Sequence, residues 1–382
     1  MDPRPRLVTV DHLWSGRWAG RSVLRLDAHG VAPAGREEAR GAVAHLLPHL
    51  PGTVLAPFTD SHVHLGLVDG ARLPAGGISK VVDLGWDPGV AATWLAPTDD
   101  GPEVRIAGGL LAAPGGYPSR SGWAPARATL AVRGLTASGR ARRARTLVHR
   151  VRDLGASIVK VTLHAEAGPV LDDAALRAVV DAAHDVGLPV TAHVQGLGQA
   201  ARALAAGVDQ FAHAPFSERL DDDLLGALAA TTTWVSTLAI HEGATHETAV
   251  ENVARFRAAG GRVLYGTDLG NGEQRVGVSE PELRALGRAG LGLAALLGAL
   301  APDAVHGGAP AAPTAATGDA AGAPRLPDRR VTWIPDPPGA SGSPDERAAW
   351  LASARAVTAD ELAALAGPPV PPPPGGPPQE AP

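Results

Sequence analysis

The chain has 382 residues, room for one large domain or two ordinary ones with ample core. Its net charge of −5 leaves no electrostatic footprint for nucleic acid, and the absence of cysteine excludes disulfides and thiolate metal ligands. Any transition metal must therefore sit on nitrogen and oxygen donors, for which the 14 histidines make provision.

The N-terminal stretch MDPRPRLVTVDHLW lacks the apolar stretch of a secretory signal. The longest apolar helix-like run, 289–301, is shorter than the roughly 20 residues a bilayer requires. Both point to a soluble, cytoplasmic protein with no membrane partner. Residues 6–53 read as short strands and turns followed by the helix-like REEARGAVAHLL, so 1–53 is expected to form the N-terminal part of a small β domain.

From residue 54 the pattern changes to apolar runs alternating with amphipathic stretches. The runs are 54–60, 78–84, 104–110, 157–163, 188–193, 208–213, 233–238 and 262–267. The clearest helical stretches are 140–154, 172–186, 197–206, 221–230 and 246–259. In 172–186, Asp172 and Asp173 suit the first turn, Leu176, Val179, Val180 and Ala183 form an apolar stripe, and Gly187 and Pro189 end it. Near-continuous apolar strands alternating with helices predict a parallel sheet covered on both faces. Eight such units over about 250 residues predict a (β/α)8 TIM-like barrel, here 54–305, with functional groups at the C-terminal strand ends.

Beyond it, 306–328 is rich in Ala, Pro, Gly and Thr without periodicity and reads as a low-complexity linker or loop. Residues 329–366 hold a short strand in RRVTWIPDPP and helical pieces, and 367–382 is a proline-rich tail expected to be disordered and extended. The expected fold class is α/β, a barrel with a small, partly degenerate β domain drawn from the N- and C-terminal segments.

The chemistry-bearing residues fall on the apolar runs. His62 and His64 close VLAPFTDSHVHLGL; two residues apart on a strand, they face the same side. Two neutral imidazoles converging at about 2.0–2.1 Å suit a divalent metal, zinc above all. Lys160 lies in SIVKVTL, His193 in LPVTAHVQG, His213 in VDQFAHAP and Asp268 in RVLYGTDLG. Singly, each has a plain structural reading: a core histidine bonded to a carbonyl, a buried ion pair at Lys160, a helix cap at Asp268. Their joint placement at strand ends points to a metal site.

The set APFTDSHVH, GGISKVVDLG, IVKV, VTAHVQG, VDQFAHA and YGTD, spread over 54–270, resembles the metal-dependent amidohydrolase superfamily, the imidazolonepropionase-like and prolidase-like branch in particular. The resemblance implies one or two divalent ions, zinc first. His62 and His64 would hold the more buried ion with Asp268 as a further ligand, and His193 and His213 a second. Lys160 would bridge them as a carbamate, because a plain ammonium has three donors and no acceptor; an unmodified Lys160 implies a single metal. The implied reaction is hydrolysis of an amide, cyclic amide or dipeptide C–N bond in a small-molecule substrate by a metal-activated hydroxide, with Asp268 as general base and acid. The chain departs from the pattern in having APFTD where the superfamily has Pro-Gly. Its N-terminal β region is poorly matched, and RRVTWIPDPP stands where an ADLVLL-type strand is expected.

Two alternatives stay open: a deaminase on the same fold, and a non-catalytic, metal-stabilised binding protein, against which the intact six-ligand set argues. In LLAAPGGYPSRSGW (110–123), Tyr117 and Trp123 are candidate lid residues, and His241 and Glu242 of HEGATH are candidate substrate contacts. His241 and His246 are five apart and cannot share a metal as an i, i+4 pair does. The arginine-rich stretch 139–152 precedes or includes Leu147, Val151 and Leu154 at helical spacing and reads as a solvated helix face. Homo-oligomerisation is left open.

Overall fold

Pro57 sits where the chain leaves one sheet for another. The computed structural model describes residues 5–41, 44–306, 329–338 and 342–370. In it the run expected as one strand over 54–60 is two: His49–Leu55 in one sheet and Thr59–Val63 in another. Proline has no N–H to give a ladder, so the strand breaks there. The domain boundary expected between 53 and 54 thus falls inside a strand.

The first sheet has six strands, in the order Arg355–Thr358, Arg330–Ile334, His49–Leu55, Arg6–Trp14, Ser22–Asp27, Gly30–Pro33. RRVTWIPDPP supplies the strand Arg330–Ile334, antiparallel to His49–Leu55 with Trp333 opposite Val54. Val8, Val10, Leu24, Leu26, Leu50, Val54, Val331 and Val357 form its core. Gly367, the first residue of the expected tail, bridges to His49 instead of running free. The remainder of that tail, 371–382, and the low-complexity stretch 307–328 lie outside the described residues.

The other strands are all parallel but do not form one closed ladder. A three-stranded sheet holds Thr59–Val63, Lys80–Asp83 and Glu103–Ile106. A seven-stranded sheet runs Arg262–Leu264, Thr233–Val235, Gln210–Phe211, Val190–Gln195, Val159–His164, Leu110–Ala112, Thr129–Ala131. The third apolar run explains the split. It breaks at Gly108, whose φ of 72° turns the chain, so Glu103–Ile106 stays with the small sheet while Leu110–Ala112 joins the large one. Isolated hydrogen bonds cross the gaps. Ser61 N donates to Tyr265 O (3.0 Å) and His64 N to Leu269 O (2.8 Å) on one side, and Ser157 N to Ile106 O (3.0 Å) on the other.

Helices Ala137–Asp153, Asp173–His184, Gln199–Ala206, Asp222–Thr231 and Gly243–Ala258 follow the strands as their apolar spacing predicts. Asp172 and Asp221 cap two of them by accepting from Ala175 N and Leu224 N. The arginine-rich helix buries Ala144, Leu147, Val148 and Val151 and leaves its charges outward. Helices Glu280–Arg288 and Leu293–Leu300 complete this layer. Among the described residues no helix is long and apolar enough to cross a membrane.

Beneath the large sheet, Trp234 stacks on Phe256 with ring centroids 3.7 Å apart, and on Phe211 at 6.0 Å. Phe256 is fully buried. Phe256→Ala is expected to cost about 3–5 kcal/mol in denaturant unfolding, the usual penalty for emptying an aromatic core position. A loss under about 1 kcal/mol would show that this stack does not hold helix Gly243–Ala258 to the sheet.

Candidate active site

Asp60 locks two strand ends together. Its carboxylate is fully buried. Oδ1 accepts from the backbone N–H of His62 and of Thr267, each at 3.1 Å, and Oδ2 accepts from the Thr267 hydroxyl at 2.6 Å. This places His62 beside the turn that carries Asp268. Gly266 keeps this packing open, since a Cβ there would fall 3.2 Å from His62 N and 2.3 Å from the Val235 side chain. Asp83 does the same for the next loop, accepting from Leu65 N (2.8 Å) and Gly85 N (3.0 Å) and so fixing the chain after His64.

The imidazoles are oriented by acceptors that leave no choice of tautomer. His62 Nδ1 lies 2.8 Å from Ala212 O, and His64 Nδ1 lies 3.1 Å from Gly85 O. A carbonyl oxygen can only accept, so both rings carry their proton on Nδ1, and the neutral ring has its lone pair on Nε2. These two Nε2 atoms face the same oxygen, Asp268 Oδ1, at 3.1 and 3.2 Å. His62 Nε2 and Asp268 Oδ1 are buried with no hydrogen-bond partner. Asp268 Oδ2 is held by Asn271 Nδ2 at 2.9 Å. His213 is gripped at Nδ1 by the Thr237 hydroxyl (2.9 Å). His62, His213 and Asp268 offer donor atoms all within 4.8 Å of one another.

Lone pairs that converge with no proton between them repel; a cation placed among them turns the repulsion into coordination. The donor set of imidazole nitrogen and carboxylate oxygen suits a divalent ion of the zinc type, and the carbonyls behind His62 and His64 are the outer partners such ligands use.

No protein-family model and no curated protein matches the chain. Solved structures match over nearly its whole length. A Xaa-Pro dipeptidase with methionine bound in its active site has a TM-score of 0.68 at 18% identity, over 94% of this chain and 99% of that one. The ochratoxinase of A. niger gives 0.67 at 16%, over 91% and 92%. A molinate hydrolase gives 0.64 at 13%, over 94% and 95%. The chain has the fold of prolidase-like amidohydrolases.

Within this amidohydrolase fold, burial sets the protonation states. It pushes His62 and His213 well below the usual imidazole range and His193 to about 3, with Lys160 acting on all three in the same direction. Asp60 moves the other way, pushed up to about 7 by burial against its bonds to Thr267 and His62. Lys160 is 2% exposed and sits on Val159–His164 within the field of Asp268 and Asp83.

His193 stands beside His213, ring centroids 4.8 Å apart, but outside the group of donors within 4.8 Å. Its Nε2 faces Gln195 Oε1 at 3.2 Å, and Gln195 Nε2 donates to Glu166 at 3.0 Å. The amide orientation makes His193 Nε2 the donor and leaves the lone pair on Nδ1.

Aromatic rings roof the cluster. Trp123 packs on His64 at 4.6 Å, Tyr117 stacks on His193 at 5.0 Å, and Trp123 Nε1 donates to the Tyr117 hydroxyl at 3.1 Å. His241 lies half-buried against Phe216 at 4.1 Å, lowered to about 4 by burial against the pull of Asp268. Glu242 is exposed at the start of helix Gly243–Ala258 and does not cap it.

Sequence reasoning missed His164, Asn271, Thr237 and Phe216. His164 stacks on His193 (5.3 Å) and lies tilted against Tyr117 (4.9 Å), and its Nδ1 is buried without a partner. Its signal was strand parity: four residues beyond Lys160 on one strand, it faces the same side.

Burial, against Asp268 and Asp83, lowers the Lys160 amine to about 7. In the unfolded chain the amine holds its proton to about 10.4. Between these values the unfolded state binds more protons, so the cost of burying Lys160 is full below about pH 7 and fades towards pH 10. Lys160→Met should therefore raise the Tm of metal-free protein at neutral pH, with the gain shrinking as pH rises. A gain that does not change with pH would mean that the amine titrates normally.

Proposed function

We propose that this chain is a metal-dependent hydrolase of amide-type C–N bonds in the prolidase-like branch of the amidohydrolase superfamily. Its two parallel sheets then represent a (β/α)8 barrel closed by isolated hydrogen bonds. The observation that carries this reading is the convergence of His62 Nε2 and His64 Nε2 on Asp268 Oδ1 with both other ring nitrogens committed to carbonyl oxygens. The names of the structural neighbours, a dipeptidase, an ochratoxinase and a molinate hydrolase, support hydrolysis as the reaction class.

In this reading His62, His64 and Asp268 would hold one ion and His193 and His213 a second, and Lys160, as a carbamate, would serve as a shared ligand. Depression of the amine to about 7 leaves the neutral nucleophile that carbon dioxide requires abundant at physiological pH. Such ions supply a Lewis acid for the substrate carbonyl and an acidified water. The protein's own residues do the rest. Asp268 is anionic in the cluster, takes the proton from water and returns it to the leaving nitrogen. Asn271 holds its other oxygen so that Oδ1 faces the reacting atoms. Trp123 and Tyr117 cover the site and exclude bulk solvent, while His241 and Glu242 flank the substrate at the mouth of the seventh strand.

Two experiments test this. Elemental analysis of protein purified without chelator should find one to two equivalents of zinc or a similar ion, and Lys160→Ala should lower a two-metal content to one or less, with short carboxylic acids restoring part of the activity. Less than about half an equivalent in wild type would remove the metal from the site. On a library of dipeptides and N-acyl amino acids, Asp268→Asn should keep the fold and the metal but lose about 10²–10⁴ in turnover. Near-normal turnover would take Asp268 out of the chemistry.

A further inference from the structure

Among the described residues, two that are not glycine have positive φ: Thr237 at 45° and Asp268 at 54°. The first is the stranger of the two. A β-branched side chain in the left-handed region is a true outlier and persists only where the surroundings over-determine it. Thr237 opens the 3₁₀ turn Leu238–Ile240, and its hydroxyl faces His213 Nδ1 at 2.9 Å. In an extended conformation the hydroxyl would leave the ring.

What holds the turn comes from a different element. Glu282 is the third residue of helix Glu280–Arg288, behind the N-cap Ser279, where a capping-box glutamate folds back to the N-cap amide. Half of that box is present, since Ser279 Oγ accepts from Glu282 N (3.3 Å). The other half is not. Ser279 N donates to the Tyr265 hydroxyl instead (2.7 Å), and the Glu282 carboxylate reaches away to accept from Ala239 N at 2.7 Å. The Leu238 amide faces the same carboxylate, as does the Ser236 hydroxyl, which also lies 3.4 Å from Gly266 O and N. The group is fully buried, and Oε1 lacks a hydrogen-bond partner of its own. A buried carboxylate diverted from its local cap faces the backbone amides of Leu238 and Ala239 after Thr237 and the Ser236 side chain before it.

We propose that Glu282 is a positioning residue: it locks the Thr237 turn in its left-handed conformation, so that the Thr237 hydroxyl holds the His213 ring for metal binding. This rests on the reading of His213 as a metal ligand. A purely structural role for Glu282 would alter stability and leave the affinity of folded protein for metal unchanged.

The test is equilibrium competition for zinc between the metal-free protein and a chromogenic chelator, read on wild type, Glu282→Gln, and Glu282→Gln combined with Thr237→Ser. Glu282→Gln keeps the shape but turns an amide against the donors of the turn, and should weaken zinc binding about 10-fold or more, the usual effect of losing an outer partner. Serine keeps the hydroxyl and removes the β-branch, so the double variant should recover most of that loss. Wild-type affinity in a folded Glu282→Gln protein would overturn the proposal while leaving the metal site standing. A double variant no tighter than the single one would overturn the link through Thr237. A wild type that binds no zinc would overturn the metal reading and this proposal together. Should Glu282→Gln fail to fold, Ser236→Ala, which removes one contact to the carboxylate, must weaken zinc binding in the same sense, and unchanged affinity there would overturn the proposal too.

Discussion

The site depends on one electrostatic constraint. Backbone carbonyls of Ala212 and Gly85 take the Nδ1 protons of His62 and His64, and the remaining lone pairs are aimed at a carboxylate oxygen about as far away as a hydrogen bond would place it. Among the described residues the basic group in the field of Asp268 is Lys160, whose ammonium is itself disfavoured by burial. Such an arrangement is unfavourable in an empty interior and favourable around a cation. The rest of the structure can be understood as the framework that keeps these atoms together.

That framework is built from buried polar side chains rather than from a continuous ladder. The parallel strands divide into two sheets where Gly108 breaks the third apolar run. Where the ladder is thin, Asp60 takes its place by tying His62 N to the Thr267 amide and hydroxyl. Asp83 fixes the chain after His64, and Asn271 fixes the free oxygen of Asp268. Each of these contacts is made by a group that is costly to bury and therefore costly to leave unpaired. Fold and site thus share their residues, and a change to Asp60 would disturb the strand contact and the orientation of His62 together.

How much of this could be read in advance differs by the kind of information involved. The helices and strands of the α/β pattern were legible because apolar periodicity is local. His62, His64, Lys160, His193, His213 and Asp268 were legible because their chemistry is conspicuous on apolar strand ends. The strand break at Gly108 was written in the Gly-Gly pair of VRIAGGL, yet the run reads as unbroken when only hydropathy is followed. His164 is harder to read because it lies one residue beyond the apolar run 157–163, although parity with Lys160 points to it. Thr237 and Glu282 carried no such signal. Their roles arise from a backbone angle and from a side chain turning away from its own helix cap, and both are consequences of tertiary packing between elements more than forty residues apart. The pairing of Arg330–Ile334 with His49–Leu55 is equally non-local.

Both rings turn Nδ1 to a backbone carbonyl, which places the proton there and leaves each Nε2 facing Asp268 where a cation would bind. Long-range ¹H–¹⁵N correlation spectra of histidine-labelled protein, recorded without metal and after addition of zinc, measure this directly. The expected result is Nδ1–H tautomers for His62 and His64 at neutral pH, with their Nε2 resonances shifting on zinc addition while Nδ1 stays protonated. Doubly protonated rings, or Nε2–H tautomers that do not respond to zinc, would contradict it.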